Sequence, residues 1–354
     1  MPKIFTQIVA RPDSSRTARR IEEQGFDGIS FVDSQNLSGD VYVAMATAAV
    51  ATETLELSTG VTNPVTRHPA VTASAIGSVQ RVAGDRVQLG IGRGDSALAH
   101  IGRSPARVID FERYLIAVQK YLKGEEVLFE DLKFGETVSR GVDELGLAAS
   151  AIASQINWLP GRLGKVDVEV AATGPKVISA AARHSDRIMF ALGADHERIK
   201  WGIEIARKAR KDEGLDPDEI DYGAYVNIIC HSNLEKAREL VRGGLSTFAR
   251  FSVMHGEVVG PISSEDEKVM NELHERYDMR SHTRADSDQA SLLSNDFVDN
   301  YSIVGAPDRC IERIQKLSDL GLDKFIFVGA TLGSDQNAAA ESDALIAKEV
   351  VANL

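Results

Sequence analysis

Two neighbouring predicted strands end in glycine and polar residues, a combination that could hold a flat cofactor or substrate. These residues are Gly60, Val61, Thr62 and Asn63 after the first strand and Arg93, Gly94 and Asp95 after the second. Hydroxyl and amide groups can bind the edge of a heteroaromatic ring, and glycine lets a ligand approach the backbone closely. Ligands of β/α proteins bind at the carboxyl ends of the strands. The sequence therefore predicts a binding site at these two strand ends.

Asp95 and His68 are the candidates for proton transfer at this site. A carboxyl group can act as a general acid or bind a substrate cation, and histidine exchanges protons near neutral pH. Both residues also have a structural alternative, because aspartate caps helices well and a lone histidine near a helix start often only makes a hydrogen bond. Arg93 could bind an anion or pair with Asp95. Asp33 and Asn36 follow the second predicted strand and are candidates for contacts with the substrate.

A second group of residues could bind a phosphate. It comprises Thr173, Gly174, Pro175 and Lys176 after the fifth predicted strand, and Gly193 and Ala194 after the sixth. Each set opens a predicted helix, whose N-terminal N–H groups and dipole attract anions. Two adjacent helix N-termini make a better anion site than one, and Lys176 could add a charge. The alternative for the first set is an ordinary helix start followed by a solvated lysine.

The strands and helices that must position these residues alternate along the chain. Eight predicted strands, from Lys3–Val9 to Lys324–Val328, are each followed by a predicted helix. Eight such units favour a closed (β/α)8 TIM barrel, with an open doubly wound sheet as the alternative. Two segments interrupt the pattern, at about 129–164 after the fourth helix and about 251–300 before the eighth strand. We expect one barrel domain over 1–354, with these insertions forming lids or substrate walls.

The composition excludes several classes of function. A net charge of −12 disfavours a nucleic-acid partner, and no apolar run approaches the roughly 20 residues that span a bilayer. With no signal-peptide pattern and only Cys230 and Cys310 as cysteines, we expect a cytoplasmic protein without a structural disulfide. The motifs GxSxG, Walker A, HExxH and CxxC are absent, and no metal site is predicted. These absences favour a barrel in which a redox cofactor does the chemistry.

Several of these runs together resemble a known family. The runs are Asp40–Val43, Gly60–Ala75, Leu89–Asp95 and Thr173–Lys176. They are similar to the bacterial luciferase-like superfamily, nearest to its methylenetetrahydromethanopterin reductase-like branch, and the similarity extends over most of the chain. The resemblance implies a (β/α)8 barrel that binds FMN or the deazaflavin coenzyme F420 at its carboxyl face. It also implies a cis peptide between Gly60 and Val61 behind the cofactor ring, and a proton-donor position at Asp95.

Three functions are compatible with this resemblance. The first is a two-component monooxygenase that uses oxygen, a small organic substrate and reduced FMN from a separate flavin reductase. We favour it because Ser34 stands where relatives often carry histidine. The alternative is a coenzyme F420-dependent reductase or dehydrogenase that transfers hydride, and a third is a non-catalytic flavin-binding protein. The resemblance also implies a homodimer or homotetramer.

Overall fold

A closed barrel of eight parallel strands forms the centre of the computed structural model, which describes residues 1–132, 142–159, 161 and 163–354. The strands are β1 Lys3–Val9, β2 Gly28–Val32, β3 Glu56–Thr59, β4 Val87–Ile91, β5 Asp167–Ala172, β6 Arg187–Phe190, β7 Asp221–Cys230 and β8 Leu322–Val328. Strands β1 to β7 pair in sequence order, β8 pairs with β1, and β7 closes the ring by pairing with both β6 and β8. The predicted (β/α)8 TIM barrel is confirmed, and the open-sheet alternative is excluded.

Eight helices surround the barrel: one follows each of the strands β1 to β7, and the eighth precedes β8. They are α1 Ser15–Glu23, α2 Val41–Ala49, α3 Pro69–Ala83, α4 Val108–Leu122, α5 Pro175–His184, α6 His196–Asp212, α7 Leu234–Phe251 and α8 Pro307–Ser318. The residues at the helix N-termini explain where these helices begin. The Asp40 side chain accepts hydrogen bonds from two N–H groups of α2, and Pro69 fits the first turn of α3. The apolar faces of the helices cover the outer face of the strands and form the main core.

The two predicted insertions lie where the sequence places them, after α4 and before β8. The first contains two short paired strands, Val127–Leu128 and Ala153–Ser154, and the 3₁₀ turns Phe129–Leu132 and Val142–Leu145. Within this predicted insertion, positions 133–141, 160 and 162 lie outside the described residues. The second contains the helices Ser264–Arg276, Asp288–Ser291 and Asn295–Tyr301 and the 3₁₀ turn Met279–Ser281.

Some elements were not predicted from the sequence. A three-residue strand, Ile303–Gly305, pairs with the carboxyl end of β7, and a short helix, Ser96–Ala99, follows β4. Both are too short to produce a periodic pattern. The last helix is Gln336–Leu345, which continues as a π-helical turn over Ile346–Val350 and a 3₁₀ turn over Val351–Asn353. In the described part of the chain, no helix is both long and apolar enough to cross a membrane.

The interior of the barrel changes in character from one end to the other. Phe5, Met189 and Ile326 form an apolar layer in its middle. Near the amino-terminal end, the buried Nζ of Lys324 lies 2.7 and 2.9 Å from the two carboxylate oxygens of Glu169. Arg187 adds a second cation, with its Nε 3.2 Å from the Glu169 carboxylate. This end is therefore closed by packed and paired side chains, and the carboxyl end is left for a ligand.

Candidate active site

The loop after β3 has the backbone geometry that the resemblance implied. The peptide between Gly60 and Val61 is cis, which confirms that prediction. A Cβ atom at Gly60 would overlap the hydroxyl oxygen of Ser30, so a larger residue would require that side chain to move. The Gly60 carbonyl accepts a hydrogen bond of 2.9 Å from Nε2 of Gln7, which fixes the loop over the end of β1. The contact between this peptide and a cofactor ring stays a prediction.

Asn63 in the same loop has one half of its amide engaged and the other half unpaired. Its Oδ1 accepts from the N–H groups of Val65 and Thr66, both at 3.1 Å, and so holds a tight turn. Its Nδ2 is buried and has no hydrogen-bond partner among the described residues. Thr62 is also buried, and its N–H donates to Gly90 of β4 at 3.0 Å. The loop thus presents one amide donor at the mouth of the barrel.

The two predicted substrate contacts, Asp33 and Asn36, already have partners in the protein. Arg67 donates to the buried Asp33 carboxylate from Nη1 at 2.5 Å and from Nη2 at 3.3 Å. Nδ2 of Asn36 donates to the carbonyl of His100 at 2.8 Å and ties the β2 loop to the short helix after β4. Both residues therefore brace the rim, and their contact with a substrate stays a prediction. Arg67 was not singled out from the sequence.

His68 occupies the structural position that the sequence left open as an alternative. It is the N-cap of α3, and its Nδ1 accepts a hydrogen bond of 3.2 Å from the N–H of Ala70. Partial burial lowers the pKa of the imidazole, which favours the neutral ring. With Nδ1 accepting, the proton of the neutral ring is on Nε2. A catalytic role for His68 is untested by this geometry.

Asp95 is not the helix cap that sequence analysis left as its alternative role. It precedes the short helix Ser96–Ala99, yet its side chain makes no capping hydrogen bond with the described residues. Its Oδ2 instead accepts a hydrogen bond from Nη2 of Arg250, at the end of α7. Arg93, the partner considered from the sequence, donates from Nε to the carbonyl of Ala106 at 2.6 Å. Asp95 is thus a carboxylate at the barrel mouth, paired with an arginine from the far side.

Residues near the second insertion complete the surroundings of this ion pair. The Arg250 guanidinium lies 4.6 Å from the centre of the Tyr277 ring, and the Tyr277 hydroxyl hydrogen-bonds to Nδ1 of His282 at 2.8 Å and to Thr247 at 3.0 Å. Burial is the main cause that lowers the pKa of His282 to about 4; nearby Arg250 also lowers it and Asp95 opposes the change. His282 is therefore neutral at pH 7. The segment was predicted to be a lid or wall, but these contacts were not predicted.

The two predicted phosphate-binding helix starts differ in the structure. At α5, the N-cap Gly174 has no side-chain cap, and a Cβ atom there would meet no described heavy atom within 4 Å. At α6, the Asp195 carboxylate already accepts from two N–H groups, and the N–H of Ala194 donates to Tyr301 at 2.9 Å. The Tyr301 ring also packs directly on Gly193. The α5 terminus is therefore the more open of the two, and a shared anion site that includes Gly193 and Ala194 stays a prediction.

The other predicted phosphate-binding residues near Gly174 lie at the open N-terminus of α5. Pro175 is the first residue of α5, and Lys176 is exposed beside it. The Thr173 hydroxyl donates to the carbonyl of Ala191 at the end of β6, at 3.3 Å. Exposed N–H groups with an adjacent lysine are suited to bind an anion, although no contact here tests it. Binding of a cofactor phosphate at 173–176 stays a prediction.

Buried polar atoms without partners are concentrated at the carboxyl end of the barrel. Among the described residues they include Ser34 Oγ, Asn63 Nδ2, Asn227 Nδ2, Arg250 Nε and Thr331 Oγ1. A buried donor or acceptor without a partner is costly, so such a group is normally satisfied by a ligand or by water. A flat ring with a polar edge, as in flavins and deazaflavins, carries the complementary groups. The described residues contain no group of three or more His, Cys, Asp or Glu side chains arranged to hold a metal ion.

Comparison with known proteins identifies the family. Residues 10–324 match the model described as luciferase-like monooxygenase, and the chain belongs to that family. It is 28% identical to the 5,10-methylenetetrahydromethanopterin reductase of Methanolobus tindarius, with 94% of each chain covered. A structure of coenzyme F420 dependent tetrahydromethanopterin reductase from Methanopyrus kandleri is similar with a TM-score of 0.74, at 20% identity over 99% of both chains. An F420-dependent secondary alcohol dehydrogenase follows at 0.71, with 17% identity over 99% of this chain and 98% of that one.

These comparisons confirm the predicted family and that the chain is an enzyme, but they contradict the preferred function. The monooxygenase interpretation with FMN as cofactor is wrong, since the sequence relatives are named as reductases and the structures at TM-scores of 0.74 and 0.71 as F420-dependent enzymes. Structures named as monooxygenases are less similar, at a TM-score of 0.63. The interpretation relied on Ser34, whose N–H bonds to the Ser38 hydroxyl within a local turn at 3.2 Å. A single residue in such a turn did not discriminate between the two cofactors. The flavin reductase partner was expected only as the source of reduced FMN, so it loses its support together with FMN.

Proposed function

We propose that this protein is a coenzyme F420-dependent oxidoreductase that reduces a small organic substrate by hydride transfer. The observation that carries the proposal is similarity over the full length, since 94% of this chain and 94% of a named reductase are matched. The barrel mouth supports it, because Asp95 stands there as a carboxyl group that does not cap a helix. A hydride transfer that breaks a bond from carbon to nitrogen or oxygen needs such a proton donor.

The residues at the mouth have distinct roles in this proposal. Bound F420 supplies the hydride. The loop at Gly60–Val61 and the Asn63 amide bind the flat ring, and the open start of α5 with Lys176 binds the phosphate. The substrate carbon gains the hydride and its electron pair while a bond from that carbon to the adjoining nitrogen or oxygen breaks. That atom keeps the electrons of the broken bond and takes a proton, which Asp95 passes to it from water. The inserted segment covers the site and limits access of water.

The direct test is binding followed by turnover. Purified protein is titrated with F420 and, separately, with FMN, using the fluorescence of each compound. Reduced F420 is then mixed with methylenetetrahydromethanopterin, the first substrate to test because of the relative's name, and the return of the oxidised absorbance is followed. We expect F420 to bind at least tenfold more tightly than FMN, and reduced F420 to be consumed without oxygen. Oxygen uptake with reduced FMN and no binding of F420 would overturn the proposal.

Exposed valines on and next to the helices α2 and α3 offer an apolar surface that supports the homo-oligomer implied by the resemblance. Val43 on α2 and Val50 at its C-cap are 48% and 75% exposed, and Val71 and Val82 on α3 are 54% and 49% exposed. The two helices pack side by side, so these valines lie on neighbouring elements. Such surfaces on soluble proteins mark interfaces, and a two-fold axis would pair this one with itself. Light scattering should show an oligomer that Val50→Asp dissociates, and a monomeric parent would contradict this.

A further inference from the structure

Arg250 has a buried donor that its ion pair with Asp95 leaves unused. The residue is 9% exposed, and its Nη2 donates to Oδ2 of Asp95. Its Nε, by contrast, is buried and finds no acceptor among the described residues. A guanidinium N–H that is buried without an acceptor carries a substantial desolvation cost. A ligand that brings an acceptor to this nitrogen would remove that cost.

The position of Arg250 connects this donor to the barrel mouth. Asp95 directly follows Gly94, where a Cβ atom would lie 3.3 Å from Cβ of Asn63. Asn63 belongs to the loop that contains the cis peptide between Gly60 and Val61. The ion pair therefore adjoins the loop that binds the flat ring in the proposed function. Arg250 itself comes from α7, on the other side of the mouth.

The planar geometry of the guanidinium determines where an acceptor on Nε would lie. Nε and Nη2 occupy the same edge of the rigid fork, so acceptors on them are neighbours. One of those acceptors is the Asp95 carboxylate. An atom bound to Nε is therefore held by the same guanidinium as this carboxylate. Stacking of the guanidinium on the Tyr277 ring, 4.6 Å from its centre, restricts its rotation.

We propose that Arg250 is a substrate-binding residue whose Nε–H binds the oxygen or nitrogen that gains electrons as its bond to the reacting carbon breaks, beside Asp95. The inference rests on the proposed function and names a substrate class: molecules whose reacting carbon carries a carbonyl oxygen or is bonded to a nitrogen that reduction releases. The Nε–H stabilises negative charge that develops on this atom as the hydride arrives. Asp95, paired with the same guanidinium, then passes a proton from water to it.

The test compares two arginine variants of the full-length enzyme. Arg250→Lys keeps a cation beside Asp95 but removes the fixed Nε–H. Arg198→Lys is the matched control, since Arg198 is fully buried and holds the same inserted segment through the carbonyls of Val259 and Pro261, at 2.8 and 2.9 Å. With methylenetetrahydromethanopterin and reduced F420, we expect Arg250→Lys to raise KM at least tenfold. Its affinity for F420 and the KM of Arg198→Lys should stay within twofold of the parent.

A spectroscopic readout removes the dependence on turnover. The Nε–H signal of Arg250 in nitrogen-15-labelled protein, assigned by its loss in Arg250→Lys, should shift when methylenetetrahydromethanopterin or acetone is added and not with F420 alone. If neither compound shifts the signal, the inference is overturned, and the hydrogen-bond partner of Nε is water or Asp95. Equal rises in KM for the two variants would also overturn it, because Arg250 would then only hold the segment. Failure of F420 to bind refutes the proposed function, while the shift still decides the role of Arg250.

Discussion

Glu169 at the amino-terminal end of the barrel and Asp95 at the carboxyl end are both shielded carboxylates paired with cations, but their surroundings differ. Glu169 accepts from Lys324 with both oxygens and also faces Arg187, so every group has a partner. Asp95 meets one nitrogen of Arg250, whose neighbouring Nε is unpaired. The first arrangement is complete within the protein, and the second becomes complete only with a further acceptor. The comparison separates charges that stabilise the fold from charges that serve a ligand.

We expect the largest loss of stability when the carboxylate at the closed, amino-terminal end of the barrel is removed. Glu169→Leu leaves the Lys324 ammonium buried without its anion, which should lower the free energy of unfolding by about 3–5 kcal/mol. Urea denaturation measures this loss. The double variant with Lys324→Met should regain most of it, because no unpaired charge then remains. A loss below about 1 kcal/mol in the single variant would show that the pair is not important for stability.

Removing the charge at the open end should affect the reaction more than the fold. Asp95→Asn keeps an oxygen that accepts from Arg250 but cannot deliver a proton at neutral pH. We expect turnover to fall about 100-fold or more, with a smaller loss of unfolding free energy than in Glu169→Leu, because the Asn oxygen still accepts from Arg250. F420 titration of the variant serves as the control for cofactor binding. Normal turnover in Asp95→Asn would contradict the role of Asp95 as acid.

The pH dependence of stability sharpens the comparison, because His282 lies next to the open site. Its pKa in the folded protein is about 4, against 6.5 for the free side chain, so the unfolded chain binds more protons between these values. Stability should be complete above pH 6.5 and decline as the pH falls, by about 2 kcal/mol at pH 5. Urea denaturation at pH 7.5 and 5 measures the decline. His282→Gln should reduce this decline in unfolding free energy between pH 7.5 and 5. An equal decline in the parent and the variant would show that His282 is not its cause.

The smallest expected effect concerns the exposed anion site at α5. Lys176→Ala should weaken F420 binding by about tenfold, corresponding to roughly 1.4 kcal/mol for one charge-assisted contact. Fluorescence titration measures the change. Lys211→Ala, an exposed lysine in the last turn of α6, is the control and should have no effect. Unchanged affinity in Lys176→Ala would remove this residue from the site.

The sequence contained enough information to predict the barrel and the loops that follow β3 and β4. Buried parallel strands and the helices between them produce strong local patterns, and residues 60–63 and 93–95 are contiguous in the chain. The pairing of Asp95 with Arg250 could not be predicted, since the two residues are 155 positions apart. Tyr301 covering Gly193 likewise depends on how the second insertion folds back over the barrel. Local patterns determine the scaffold, whereas long-range packing determines which polar groups at the mouth stay available.

The central claim is that the carboxyl end of the barrel, which the loop at Gly60–Val61 and the open start of α5 border, binds coenzyme F420. The most direct measurement is equilibrium binding of F420 and FMN to the parent protein, followed by oxidation of reduced F420 with methylenetetrahydromethanopterin in the absence of oxygen. Our account predicts tight, saturable binding of F420, at least tenfold weaker binding of FMN, and consumption of the reduced coenzyme. Preferential binding of FMN, or binding of neither compound, would contradict it.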